Sequence, residues 1–206
     1  MFESTISYIR KLYPNDDFIP LHAPRFNGNE KELLCKCIDS TFVSSVGKFV
    51  DIFEQKITEF TGAKHAIAIV NGTQALFLAL KLANVKRDTE VITQSLTFVA
   101  TANAISYTGA EPIFLDVNRD TFGLSPEELD GFLKSNTIQK NGTCWNKVTN
   151  KQITACLPMH TFGHPCRIEK IKQLCEEHNI CLVEDSAESL GSYYKGKHTG
   201  RFGKLG

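Results

Sequence analysis

The stretch IAIVNGTQAL at 67–76 reads as an apolar strand, a glycine turn and the start of a helix. Such a junction offers unpaired backbone N–H groups and the positive end of a helix dipole, which attract a phosphate or another anion. It has neither the GxGxxG of dinucleotide folds nor a Walker lysine, so an ordinary connection reads as well. The Thr73 hydroxyl could serve a phosphate or cap the helix. Further on, Glu184-Asp185-Ser186-Ala187-Glu188 follows an apolar run at 180–183. Asp185 therefore falls at a strand C-terminal end, where a carboxylate can meet a cationic ring nitrogen in a ligand crevice; capping the turn that follows is the alternative. His160 and His164 stand four apart, yet Gly163 and Pro165 exclude the helix that would turn both toward one metal ion. A zinc site with Cys166 is disfavoured on that ground.

These residues need a scaffold. From position 65 onward short apolar runs at 65–70, 90–93, 112–117, 153–157 and 180–184 alternate with helical stretches at 73–83, 98–106 and 168–177. One further helix is opened by Ser125-Pro126-Glu127-Glu128. Strands buried on both faces and separated by helices make a layered α/β domain with a largely parallel sheet, and ligands of such sheets sit at the strand C-terminal ends. A polar stretch at 135–152 with Asn141-Gly142 reads as a surface excursion or hairpin, and another at 192–200 as a turn or hairpin. Upstream, Phe2, Ile6, Ile9 and Tyr13 recur at helical spacing before Pro14. A second helix runs from near Asn29 through Leu33, Leu34, Cys37 and Ile38, and a third carries Phe49, Ile52, Phe53, Ile57 and Phe60 before Gly62. The chain thus divides into a helical arm or segment at 1–62 and an α/β part at 63–206.

At 206 residues and 42% apolar content the chain can bury one sizeable core. Lys+Arg and Asp+Glu both number 23, so no basic surplus draws the chain to nucleic acid or a membrane surface. The first ten residues lack the pattern of a signal peptide and no later run approaches a membrane span, so a cytoplasmic protein is expected. Seven cysteines without a CxxC pair read as reduced thiols, with Cys175 and Cys181 in the core.

Several segments together resemble the DegT/DnrJ/EryC1/StrS family of sugar aminotransferases, within the fold-type-I pyridoxal-phosphate enzymes, and in particular its LegC-type members. They are FIPLHAPRFNGNE at 18–30, STFVSSVGKFVDIFE at 40–54, VNGTQAL at 70–76, TFVATANAISYTGAEPIFLDV at 97–117, PMHTFGHP at 158–165 and EDSAESLGSYYKGKHTG at 184–200. The resemblance spans essentially the whole chain, and several long motifs in one order are far more specific than any of them alone.

That resemblance implies the fold-type-I large domain, a three-layer architecture around a mostly parallel mixed sheet, with 63–206 as an incomplete cofactor-binding domain. It implies that Gly72, Thr73 and Gln74 hold the phosphate of pyridoxal 5'-phosphate. Phe98 falls where the family stacks an aromatic ring on the pyridine; without the resemblance it reads as a core phenylalanine. Asp185 matches the aspartate beside the pyridinium nitrogen, which keeps the ring protonated. Glu188 stands where relatives carry Gln or His near the ring, and His160 lies in the strand-end loop with a role that is structural or close to the cofactor. The Schiff-base lysine and the small C-terminal domain are expected beyond Gly206, so no catalytic residue is assigned within the chain. The implied reaction is transamination of a 4-keto-6-deoxy sugar nucleotide, giving a UDP-linked 4-amino-4,6-dideoxy-N-acetylhexosamine, with an amino acid donor such as glutamate and a homodimeric full-length enzyme. The alternatives are a pyridoxamine-phosphate sugar dehydratase, which carries His in place of that lysine, and an inactive truncated or split product.

Overall fold

The computed structural model describes residues 2–20 and 23–206. The chain forms two compact units, Met1–Phe49 and Val50–Gly206. The first contains helix α1 (Glu3–Leu12) and helix α2 (Glu30–Asp39), neither of which has a buried residue. Helix α3 (Lys48–Thr61) starts at the boundary and runs into the second unit. It stops at Gly62, whose φ of +70° lets the chain leave the last turn in the left-handed region that favours glycine. A side chain there would also collide with Arg201, whose Nη1 would lie 2.7 Å from the added Cβ.

The second unit is built on strands β1 (Thr89–Gln94), β2 (Glu111–Leu115), β3 (Thr137–Lys140), β4 (Thr143–Asn146), β5 (Gln152–Leu157) and β6 (Cys181–Leu182). The path through the sheet is β2-β1-β5-β4-β3, with β6 also on β5. β1 pairs in parallel with β2 and β5, and β5 with β6; β4 is antiparallel to β5 and to β3. This is the mostly parallel mixed sheet expected. Every residue of β1 is buried, as befits a central strand between parallel neighbours.

Alternation along the strands separates two cores. Val91, Ala155 and Leu157 pack with Leu76 and Leu80 of helix α4 (Gly72–Leu82) and with Ala104 and Ile105 of helix α5 (Val99–Tyr107). Ile92, Ile153 and Cys156 pack with Leu129 and Leu133 of helix α6 (Pro126–Asn136) and with Ile168, Ile171 and Cys175 of helix α7 (Ile168–Glu177). Successive strand residues point to opposite faces, so one hydrophobic run serves two helical layers. The result is the three-layer arrangement that the family resemblance implies.

Both expected hairpins form. Asn141 (φ 51°) and Gly142 (φ 76°) supply two successive positive φ values between β3 and β4. Lys195 and Gly196 do the same between β7 (Tyr193–Tyr194) and β8 (Lys197–His198). One expectation fails: residues 65–70 form no strand. Ile67 is 75% exposed and Val70 85% exposed. An apolar run becomes a strand only when a hydrogen-bonded neighbour accepts it, and among the described residues this one has none. Its backbone is held instead by Glu54, whose Oε1 accepts from Ala68 N at 2.8 Å. Of the seven cysteines all are free; Cys144, Cys156, Cys166 and Cys175 are buried, whereas Cys35 is exposed.

Helix α6 begins with Ser125, whose Oγ accepts from Glu128 N at 3.2 Å. Replacing Ser125 with Ala is expected to lower unfolding free energy by about 1 kcal/mol in urea melts, and Asn there should retain most of the native value.

Candidate cofactor site at the strand ends

Asp185 lies just past β6 at the C-terminal edge of the sheet and is 3% exposed. Its backbone is fixed against the residues following β5: Asp185 N donates to Pro158 O (2.9 Å) and Asp185 O accepts from His160 N (3.2 Å). The carboxylate accepts the Thr101 hydroxyl on Oδ2 at 2.7 Å and Ala187 N on Oδ1 at 3.2 Å. Thr101 sits in the first turn of α5, and its N–H donates to Phe98 O. Phe98 stands at the N-cap of that helix in extended conformation and is 66% exposed, which does not match the core-phenylalanine reading.

Immediately before Asp185, Glu184 does something different. Its carboxylate is buried and accepts four N–H groups: Phe202 N and Gly203 N (both 2.6 Å) on Oε1, and Gly200 N (2.9 Å) and His160 Nε2 (3.1 Å) on Oε2. Burial alone pushes its pKa up, but the bonds from His160, Gly203 and Gly200 outweigh it and hold the carboxyl below its ordinary value. His160 is fully buried, and its Nδ1 accepts from Cys166 N at 3.2 Å. Nδ1 is therefore unprotonated and Nε2 carries the hydrogen donated to Glu184. This arrangement makes His160 a structural tie between two loops. His164 is exposed, and Cys166 has its thiol pushed up by burial and then by the Glu184 charge, so it stays protonated. Among the described residues no group of three or more His, Cys, Asp or Glu converges as metal ligands would.

Helix α4 is joined to β1 by the short connection 83–88. At ~16 Å for the helix and ~20 Å for the strand the two elements are of similar length, and Leu76 and Leu80 of α4 pack with Val91 of β1. Asn71 is the cap, its Oδ1 accepting from Gln74 N at 2.9 Å. The Gln74 amide expected to hold a phosphate is thus already engaged, leaving the Gly72 and Thr73 N–H groups and the Gln74 side chain. A Cβ on Gly72 would meet nothing within 4 Å. Glu188 is exposed, and its Oε2 accepts from Phe162 N at 2.6 Å, fixing a phenylalanine whose φ is +54°.

Asp185, His160 and Glu188 are therefore brought together by the loops after β5 and β6, with Phe98 joined through Thr101. Helix α4, which opens with Gly72, Thr73 and Gln74, packs on α5; among the described residues no hydrogen bond joins these three to Asp185, His160, Glu188 or Phe98. Sequence reasoning missed Asn71, Thr101, Thr97, Gln94 and Glu184. Gln94 is fully buried at the end of β1, where its amide bonds Leu96 O, Thr161 Oγ1, Leu124 N and Met159 N. A polar residue inside an otherwise apolar strand was the available signal for it.

The α/β domain with its mostly parallel sheet is shared with solved aminotransferase structures, which places it in the fold-type-I pyridoxal-phosphate class. The chain belongs to the DegT/DnrJ/EryC1/StrS aminotransferase family, whose model matches residues 24–206. It is 39% identical over 188 residues to GDP-perosamine synthase of Escherichia coli O157:H7, covering 91% of this chain and 47% of that protein. Against GDP-perosamine synthase of Caulobacter vibrioides it is 37% identical over 185 residues, covering 90% and 46%. The structure of an aminotransferase from Psychrobacter cryohalolentis superposes with a TM-score of 0.76 at 28% identity, over 89% of this chain and 43% of that one. The chain spans about half the length of the curated relatives it matches.

Because the Glu184 pKa is lowered on folding, its contribution to stability is present above the ordinary carboxylate value of 4.5 and is lost as pH falls through the folded value. Glu184→Gln places amide hydrogens against N–H donors and is expected to cost about 3 kcal/mol or more at pH 7. The difference from the native chain should shrink in denaturation curves recorded below pH 4.5.

Proposed function

We propose that this chain is the cofactor-binding part of a pyridoxal-phosphate aminotransferase that aminates a nucleotide-linked 4-keto-6-deoxy sugar. The donor is an amino acid such as glutamate, and the enzyme works in the cytoplasm as a homodimer. In this reading 1–62 is a helical segment and 63–206 the cofactor-binding domain. The observation that carries it is the buried Asp185 carboxylate at the sheet edge, with the exposed Phe98 ring at the start of the same α5 turn that supplies Thr101.

The residues present fit the cofactor. The open space over Gly72 and the free N–H groups of Gly72 and Thr73 suit a phosphate at the positive end of α4. When bound, the cofactor supplies an electron sink conjugated to the substrate nitrogen. Asp185 would hold a proton on the ring nitrogen, which keeps that sink effective. Phe98 would cover one face of the ring and exclude water from it. His160 and Glu188 act at one remove, fixing the loop at 160–163 that borders the crevice. The LegC-type resemblance favours a UDP sugar, whereas the relatives carry the name GDP-perosamine synthase, which favours a GDP-linked substrate. The second is the better supported, since it rests on alignment over nine-tenths of the chain.

Two variants test the cofactor reading. Gly72 has no positive φ, so Gly72→Ala is expected to raise stability by about 0.4–1 kcal/mol while weakening pyridoxal-phosphate binding, because the new methyl fills the phosphate space. Asp185→Asn should weaken binding about tenfold or more through loss of a charged hydrogen bond. Native affinity in both variants would sink the assignment. Amino transfer to GDP- and UDP-linked keto sugars in the full-length protein then decides the nucleotide.

A further inference from the structure

We propose that Thr101, backed by Thr97, is a positioning residue that orients Asp185 toward the cofactor ring nitrogen. This rests on the reading of Asp185 given above. Thr101 is fully buried and its Oγ1 lies 2.7 Å from Asp185 Oδ2, across a sequence separation of 84. An ionised carboxylate only accepts, so Thr101 is the donor. Thr101 Oγ1 also lies 2.7 Å from Thr97 Oγ1. With the Thr101 proton committed to Asp185, the Thr97 hydroxyl is the donor in that second contact. Thr97 Oγ1 further lies 3.0 Å from Met159 Sδ, a weaker acceptor than a hydroxyl oxygen. The order Thr97, Thr101, Asp185 is thus a chain of hydroxyls pointing one way, each bond polarising the next.

The geometry does more than satisfy a buried group. Asp185 Oδ1 is held by Ala187 N at 3.2 Å and Oδ2 by Thr101, so both oxygens are pinned and the plane of the carboxylate is set. Thr101 belongs to the same helical turn that Phe98 caps. One turn of α5 therefore fixes both the group that faces the ring edge and the ring that covers its face.

The test compares binding of pyridoxal phosphate with that of its 1-deaza analogue, which has the same shape and phosphate but no ring nitrogen. The native chain should favour pyridoxal phosphate about tenfold or more, as a charged hydrogen bond warrants. Thr101→Val, isosteric but without the hydroxyl, should cut that preference about threefold to tenfold while leaving the affinity for the deaza analogue unchanged. Thr101→Ser should restore it, and Thr97→Val should lower it by a smaller factor. Because each variant is its own control for folding, the ratio is readable even where stability drops. If Thr101→Val destroys the fold, Thr97→Val carries the test. A native preference that survives both valine substitutions overturns the positioning role alone. Equal binding of the two ligands by the native chain overturns the Asp185 reading, and the positioning role with it.

Discussion

The second unit is organised around one buried carboxylate. Glu184 is 1% exposed and could not remain charged in an apolar interior without donors. It has four: three from the backbone at 200–203 and one from His160. A charged acceptor with this many donors is stronger than the same bonds to a neutral group, and it binds the chain on either side of β5 and β6 into one piece. The loop after β5 is fixed through His160, the turn after β8 through Gly200, Phe202 and Gly203. Val183 then bridges Leu205 in parallel, extending the sheet beyond β6.

Its neighbour shows why this matters for chemistry. Residues adjacent along an extended chain point to opposite sides. With Glu184 turned into the structural network, Asp185 must face α5, where Thr101 meets it. The two carboxylates therefore differ by position, one meeting backbone donors and the other the Thr101 hydroxyl. The Asp185 direction depends on Glu184, because freeing Glu184 would release the backbone that sets it. The tautomer of His160 belongs to the same constraint: Cys166 N–H needs a lone pair on Nδ1, and Glu184 needs a hydrogen on Nε2.

What could be read in the sequence follows the range of the interactions involved. Helix α7 was legible from its apolar spacing, the Ser125 cap from local chemistry, and the Asn141-Gly142 turn from its need for two positive φ values. The layered α/β sheet was legible because apolar runs such as 153–157 alternate with helical stretches, and the three-layer form came from the family resemblance. Asp185 and Gly72 were singled out because each has a local signature, a strand end or a glycine turn. Thr101 and Gln94 were not, since a threonine in a helix or a glutamine in a strand shows its purpose only through partners far along the chain, such as Met159 for Gln94. The run at 65–70 erred in the other direction. Apolar composition records a tendency to be covered and says nothing of which strand will do the covering.

The loops that follow the strands carry a further regularity. Phe122 and Phe162 both have φ near +54° and both are largely exposed. A bulky residue in the left-handed region costs of order 1–2 kcal/mol, so something must hold each one. For Phe162 it is the Glu188 carboxylate on its N–H. For Phe122 it is the Thr161 hydroxyl and the Gln94 amide on its carbonyl. Glu188, Thr161 and Gln94 thus keep otherwise unfavourable backbone in place near the strand ends. Under the proposed function Asp185 would need the same rigidity for a different reason: a carboxylate can hold a proton on a ring nitrogen only if its own direction is not free to change.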